Sequence, residues 1–147
     1  MRNLIPTLLL LVAPAFADGH GYLYFGPGSG STAHVGAGGE GFVYTGLAIG
    51  GEIGYLFPRE QFLYGLGVLS VNTSYHVDAH THWKLQPFVT GGYTLGFREG
   101  VGHFLNVGGG ITYWLSTHAG LRVEYQEYIP TAWRGDFREV RFGLALR

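Results

Sequence analysis

Residues Ala119-Gly120-Leu121-Arg122-Val123-Glu124-Tyr125-Gln126 decide how this chain folds, because apolar and polar side chains alternate there at every step. A period of two marks a strand with one greasy and one polar face. The closing stretch repeats the pattern, with Val140, Phe142, Leu144 and Leu146 opposing Arg141, Gly143 and Ala145. Upstream, Leu105, Val107, Ile111 and Tyr113 oppose Asn106, Gly108, Gly110 and Thr112. Leu85, Val89, Tyr93 and Leu95 likewise oppose Gln86, Thr90, Gly92 and Thr94, and Leu47, Ile49, Ile53 and Tyr55 oppose Ala48, Gly50, Glu52 and Gly54.

Extended to the whole chain, this reading predicts eight strands separated by Gly, Pro, Asp and Ser: Gly21–Gly26, His34–Tyr44, Leu47–Phe57, Phe62–Tyr75, Lys84–Phe97, His103–Leu115, Ala119–Tyr128 and Glu139–Arg147. The first and fourth are apolar on both faces, so their orientation stays open. No segment shows a helical period. Most segments are about as long as a tilted membrane strand, roughly 9 to 11 residues.

Alternation alone does not say which face is inside. A soluble lipocalin-like barrel buries its apolar face, whereas a membrane barrel turns that face to lipid. Composition favours lipid. Only 13% of residues are charged, about half of the roughly 25% usual in soluble domains. The polar faces are mostly Gly, Ala, Thr, Asn and Gln, which suits a narrow lumen better than a water-facing wall. With a formal charge of -1 and no cluster of Lys or Arg, the chain lacks the positive face that nucleic acid requires. It has no cysteine, so disulfides and Cys-ligated zinc are excluded.

The first residues predict export. Arg2, the apolar run Leu8 to Ala13 and the exit Ala15-Phe16-Ala17 compose a secretory signal peptide over residues 1–17. The segment is too short for a spanning helix and is interrupted by Pro6 and Pro14. Cleavage after Ala17 leaves a single domain, 18–147, and any membrane integration then falls to strands.

With an even strand number and both termini on the periplasmic side, outer loops are expected near Pro27–Ala33, Pro58–Gln61, Arg98–Gly102 and Ile129–Arg138. Inner turns are expected near Thr45-Gly46, Val77–Trp83 and Ser116–His118. Tyr22, Tyr24, Tyr44, Tyr55, Tyr75, Trp83, Tyr93, Trp114, Tyr125, Tyr128 and Trp133 fall mainly toward strand ends, where interfacial aromatic girdles belong.

Four stretches carry a family likeness: Pro87-Phe88-Val89-Thr90-Gly91-Gly92-Tyr93-Thr94-Leu95, Asn106-Val107-Gly108-Gly109-Gly110-Ile111-Thr112-Tyr113-Trp114, Gly120-Leu121-Arg122-Val123-Glu124-Tyr125 and Arg141-Phe142-Gly143-Leu144-Ala145-Leu146-Arg147. They resemble the small bacterial outer-membrane β-barrel proteins, a porin-like group of the type of the OmpA transmembrane domain and OmpX. The resemblance implies an all-β, eight-stranded, antiparallel up-and-down transmembrane β-barrel in the bacterial outer membrane, with no defined catalytic site and no cofactor. The partners it implies are outer-membrane lipid and the barrel-insertion machinery.

The few ions on the polar faces, Glu40, Glu52, Arg122, Glu124 and Arg141, are expected to pair across the lumen, because an isolated charge inside is expensive. His76, His80 and His82 form a weak metal candidate, since imidazoles two apart on an extended chain point to one side; solvated turn histidines remain the alternative. Ser70, Ser74, His103, His118, Glu124 and Glu127 are the only material for an enzyme acting on lipid A, and no nucleophile elbow accompanies them. Gly108-Gly109-Gly110 lies within a strand and precedes no helix, so it is not a phosphate cradle. A barrel of eight strands is too narrow for an aqueous channel. The expected role is therefore structural or surface-interacting, with Trp133, Arg134 and Phe137 as outer-loop contacts for a possible surface partner. The rivals are a soluble periplasmic lipocalin-like carrier of a hydrophobe and a lipid A-modifying envelope enzyme.

Overall fold

Backbone polar groups in a strand need a neighbour on both sides, and a closed barrel supplies one everywhere without leaving an edge. The computed structural model describes residues 18–77, 84–132 and 134–147; the predicted signal segment, His80, His82 and Trp133 lie outside the described residues. It shows eight strands: β1 Gly19–Gly28, β2 Thr32–Tyr44, β3 Leu47–Pro58, β4 Leu66–His76, β5 Leu85–Phe97, β6 Val101–Trp114, β7 Ala119–Pro130 and β8 Phe137–Leu146. Each pairs antiparallel with its sequence neighbour, and β1 closes onto β8.

Most expected strands shift at their ends by one or two residues; the fourth loses its first residues. Phe62–Tyr64 form a single turn of 3-10 helix, and β4 begins only at Leu66. The Tyr55 side chain is responsible: its hydroxyl donates to the Phe62 carbonyl at 2.8 Å and accepts from the Gly65 amide at 3.1 Å, folding the segment against β3. At the opposite end, Thr45-Gly46 turns the chain between β2 and β3 in two residues, which Gly46 permits by adopting φ of 77°.

The alternation resolves in one direction all round the wall. Leu121, Phe142 and Leu144 face outward and are about half exposed, whereas Arg122 and Arg141 face inward and are 4% and 1% exposed. This orientation rules out the soluble hydrophobe carrier, whose apolar face would be inside. The two strands left open by sequence follow suit. On β1, His20, Tyr22 and Tyr24 are buried while Leu23 and Phe25 are exposed; on β4, Val68, Ser70, Asn72, Ser74 and His76 are buried while Leu69, Val71 and Tyr75 are exposed. Tyr22, Tyr24, Trp114 and Tyr128 are thus lumen residues rather than girdle residues. Tyr44, Tyr75, Tyr93, Tyr113 and Tyr125 remain on the outer surface.

On the outward faces of the strands, ionisable side chains among the described residues are confined to the loop end. There Glu127 lies 3.7 Å from Arg138, and His103 Nδ1 lies 2.7 Å from the Tyr93 hydroxyl. The remainder is a belt dominated by Leu, Val, Ile, Phe and Tyr, with Thr73 and glycines among them. Such a belt far exceeds the few hundred square ångströms of contiguous apolar surface that a soluble monomer shows, and lipid is the solvent that accommodates it.

Candidate functional site in the barrel lumen

An apolar exterior leaves the polar side chains of every strand facing one another across a narrow axis. The five ions expected there are all present, and the structure joins them into one chain of alternating sign. Toward the end where β1 begins, Glu40 Oε1 lies 3.0 Å from Arg122 Nη1. Arg122 Nε donates to Glu124 Oε2 at 3.2 Å, and Glu124 Oε2 lies 4.0 Å from Arg141 Nη1. Arg141 Nη1 donates to both Glu52 oxygens, at 3.1 and 2.9 Å.

Several members of this network escaped the sequence reading. Glu139 accepts from Arg141 Nε at 2.6 Å and from the Tyr128 hydroxyl at 3.0 Å, and His34 Nδ1 lies 3.0 Å from it. Arg141 Nη2 also donates to the Tyr128 hydroxyl. Tyr22 donates to Glu52 at 2.7 Å. His20 and His76 both reach Glu40. For Glu139 parity was the available signal, since it stands two residues from Arg141 and shares its face; for His20, Tyr22 and His76, on the strands whose direction stayed open, there was none.

The guanidinium groups are held by rings as well as by carboxylates. The Arg122 guanidinium lies 4.2 Å from the Tyr22 ring and 3.9 Å from the Phe88 ring; that of Arg141 lies 4.1 Å from the Tyr24 ring. Cation–π contact of this kind strengthens when both partners are desolvated. Other lumen positions carry neutral hydrogen bonds. Asn106 Nδ2 donates to Asn72 and to Thr94, both at 2.8 Å, and Trp114 Nε1 donates to Gln86 at 3.1 Å.

Glycine makes room for the tyrosines. Tyr22 faces Gly38 across the β1–β2 pair, and Tyr24 faces Gly36. A Cβ at Gly38 would stand 2.6 Å from Tyr22 Cζ. The ring is held by its hydrogen bond to Glu52 and by its contact with the Arg122 guanidinium. Gly38→Ala is therefore expected to lower stability by about 1 to 3 kcal/mol, read as a lower urea midpoint for the folded barrel in micelles; an unchanged midpoint would show that the ring is free to move.

Above the Arg141 layer, the loop end of the lumen turns apolar. Leu56, Leu66, Val68, Phe104 and Phe137, with His34 and Tyr128 beneath, line a cavity of about 50 Å³. That is far below the roughly 300 Å³ at which small-molecule pockets begin. Phe137, expected as an outer-loop contact, is instead the first residue of β8 and turns inward on the same face as Glu139, with its ring 5.7 Å from that of Tyr128. Arg134 is exposed on the loop, as expected of a contact residue. Beside it, the hydrogen bond from Arg138 holds the Asp136 carboxyl below its ordinary range. His76 does not stand in a polar turn: it is 1% exposed, inside the barrel.

No protein-family model matches the chain, and no curated protein matches it. Solved structures do. The N-terminal β-barrel domain of Pseudomonas aeruginosa OprF aligns over 87% of this chain and 95% of its own, with a TM-score of 0.70 and 12% identity. A structure described as de novo design of transmembrane β-barrels aligns over 89% and 95%, with a TM-score of 0.66 and 21% identity. The outer membrane enzyme PagL aligns over 87% and 99%, with a TM-score of 0.56 and 12% identity. The fold is that of the eight-stranded outer-membrane β-barrels.

Proposed function

We propose that this chain is exported to the bacterial outer membrane, where it serves as a non-conducting, non-catalytic barrel with a structural or surface-interaction role. The observation that carries the reading is the filled lumen. Arg141, 1% exposed, spans from β8 to Glu52 on β3, and Arg122 spans from β7 to Glu40 on β2, so two successive layers of paired ions cross the axis. Ions that already satisfy one another leave little reason for solute to enter.

Outer-membrane lipid is the partner that the exterior belt fits, and the insertion machinery is the partner that its assembly requires. Contact with other molecules falls to the connections at the loop end, which span three, seven, three and six residues. The second of these exposes Phe62, Leu63 and Tyr64. Against catalysis stands the placement of the candidate residues. Ser70 and Ser74 are buried in the lumen, and His103 on the outer wall bonds Tyr93 rather than a serine.

Reconstitution into planar bilayers tests the reading. We expect no unitary conductance steps from the wild-type protein, together with retention in the membrane after alkaline carbonate washing. Steady ohmic conductance would overturn the filled-lumen role, and release by carbonate would overturn integration.

A further inference from the structure

We propose that His20, Glu40 and His76 form a binding site for one divalent late first-row transition ion, with Zn²⁺ as the simplest probe. The three residues come from β1, β2 and β4 and converge inside the lumen, each at least nine-tenths buried. Glu40 Oε1 stands 2.8 Å from His20 Nε2 and 3.0 Å from His76 Nε2, and all three donor atoms lie within 4.8 Å of one another. Ligand bonds of 2.0 to 2.1 Å at tetrahedral angles put donor atoms about 3.3 Å apart, so the two Glu40–histidine separations need to open by only a few tenths of an ångström. Two imidazole nitrogens and one carboxylate suit zinc and its neighbours rather than calcium or magnesium, which prefer all-oxygen sites.

The surroundings already orient these donors. Ser74 Oγ donates to Glu40 Oε2, the His76 ring stacks on Phe88 at 5.2 Å, and the His20 ring meets Trp114 edge-on at 5.7 Å. Arg122 is the competing cation, 3.0 Å from the same Glu40 oxygen. It has a second carboxylate in Glu124 and cation–π contacts with Tyr22 and Phe88, which hold it in place when Oε1 turns to a metal. Charge supplies an independent reason. Among the described residues the lumen buries four carboxylates, Glu40, Glu52, Glu124 and Glu139, against two guanidiniums, Arg122 and Arg141. On formal charges these six groups leave an excess of two negatives, the amount one divalent ion offsets.

The folded wild-type barrel in detergent micelles, stripped with a chelator, is titrated with Zn²⁺ by calorimetry and with Co²⁺ by visible absorption. We expect one equivalent bound, with the intense absorption of tetrahedral Co²⁺. His20→Gln and His76→Gln should each weaken binding at least tenfold, while His34→Gln, whose side chain sits in the Glu139 layer, should leave it unchanged. Should a variant not fold, imidazole nitrogen resonances of the wild type report the same ligands, with two Nε2 signals shifting on addition of Zn²⁺. Absence of saturable binding, unchanged Nε2 signals, or binding that vanishes on replacing His80 and His82 but survives His20→Gln would each overturn the proposal.

Discussion

Replacing Arg141 with leucine should destabilise the barrel by about 3 to 5 kcal/mol, the cost of removing one partner from a buried ion pair. The guanidinium donates to Glu52 and Glu139 and lies 4.0 Å from Glu124, so its removal leaves three buried carboxylates near one another with Arg122 as the nearest remaining guanidinium. The size of the effect comes from what is left behind rather than from the strength of the pair itself. For that reason a second substitution should help: Arg141→Leu combined with Glu52→Gln is expected to be more stable than Arg141→Leu alone, a coupling that independent sites would not show. Urea unfolding in micelles, followed by heat-modifiable migration on a denaturing gel, measures both. Wild-type stability of Arg141→Leu would mean that the network does not hold the lumen together.

Val71→Arg should be nearly as damaging, by the opposite physics. Val71 is the middle residue of β4, faces outward and is 62% exposed. An arginine there meets hydrocarbon at the bilayer midplane, at a cost on the order of 2 to 4 kcal/mol that falls toward 0 to 1 kcal/mol near the interface. Val101, 54% exposed but at the loop-end start of β6, supplies the comparison. Val101→Arg should fold and insert at close to wild-type yield, whereas Val71→Arg should accumulate unfolded. Equal yields from the two would remove depth from the account, and with it the lipid belt.

Between them the two substitutions separate what the chain says locally from what it says only when closed. Strand number, the inward positions of Glu40, Glu52, Arg122, Glu124 and Arg141, and the outward positions of Leu121, Phe142 and Leu144 were all legible, because a period of two splits a strand into two faces without a partner strand and the charge-poor polar faces then said which one is inside. The fourth strand was overextended into Phe62–Tyr64 since their apolar character matches a strand; only the Tyr55 hydroxyl, seven residues away from Phe62, turns them into a helical turn. The directions of β1 and β4 were illegible for a related reason. Tyr22 and Tyr24 count as apolar on the same footing as Leu23 and Phe25, and nothing local distinguishes a ring facing lipid from a ring facing a guanidinium.

The sequence by itself determined a barrel-forming run of strands with a greasy face, a glycine-rich polar face and a handful of ions on the latter. The tertiary structure alone decided who meets whom: that Arg141 takes Glu52 and Glu139, that Arg122 takes Glu40 and Glu124, and that His76 joins His20 on Glu40 instead of a turn. Glu139 and Glu124 share a strand with their arginines, but the contacts of Arg141 with Glu52, of Arg122 with Glu40 and of His20 and His76 with Glu40 join different strands, and they depend on register and closure. Both are set only once all eight ladders have formed, when side chains that never approach one another in sequence are left to neutralise each other across a dry axis.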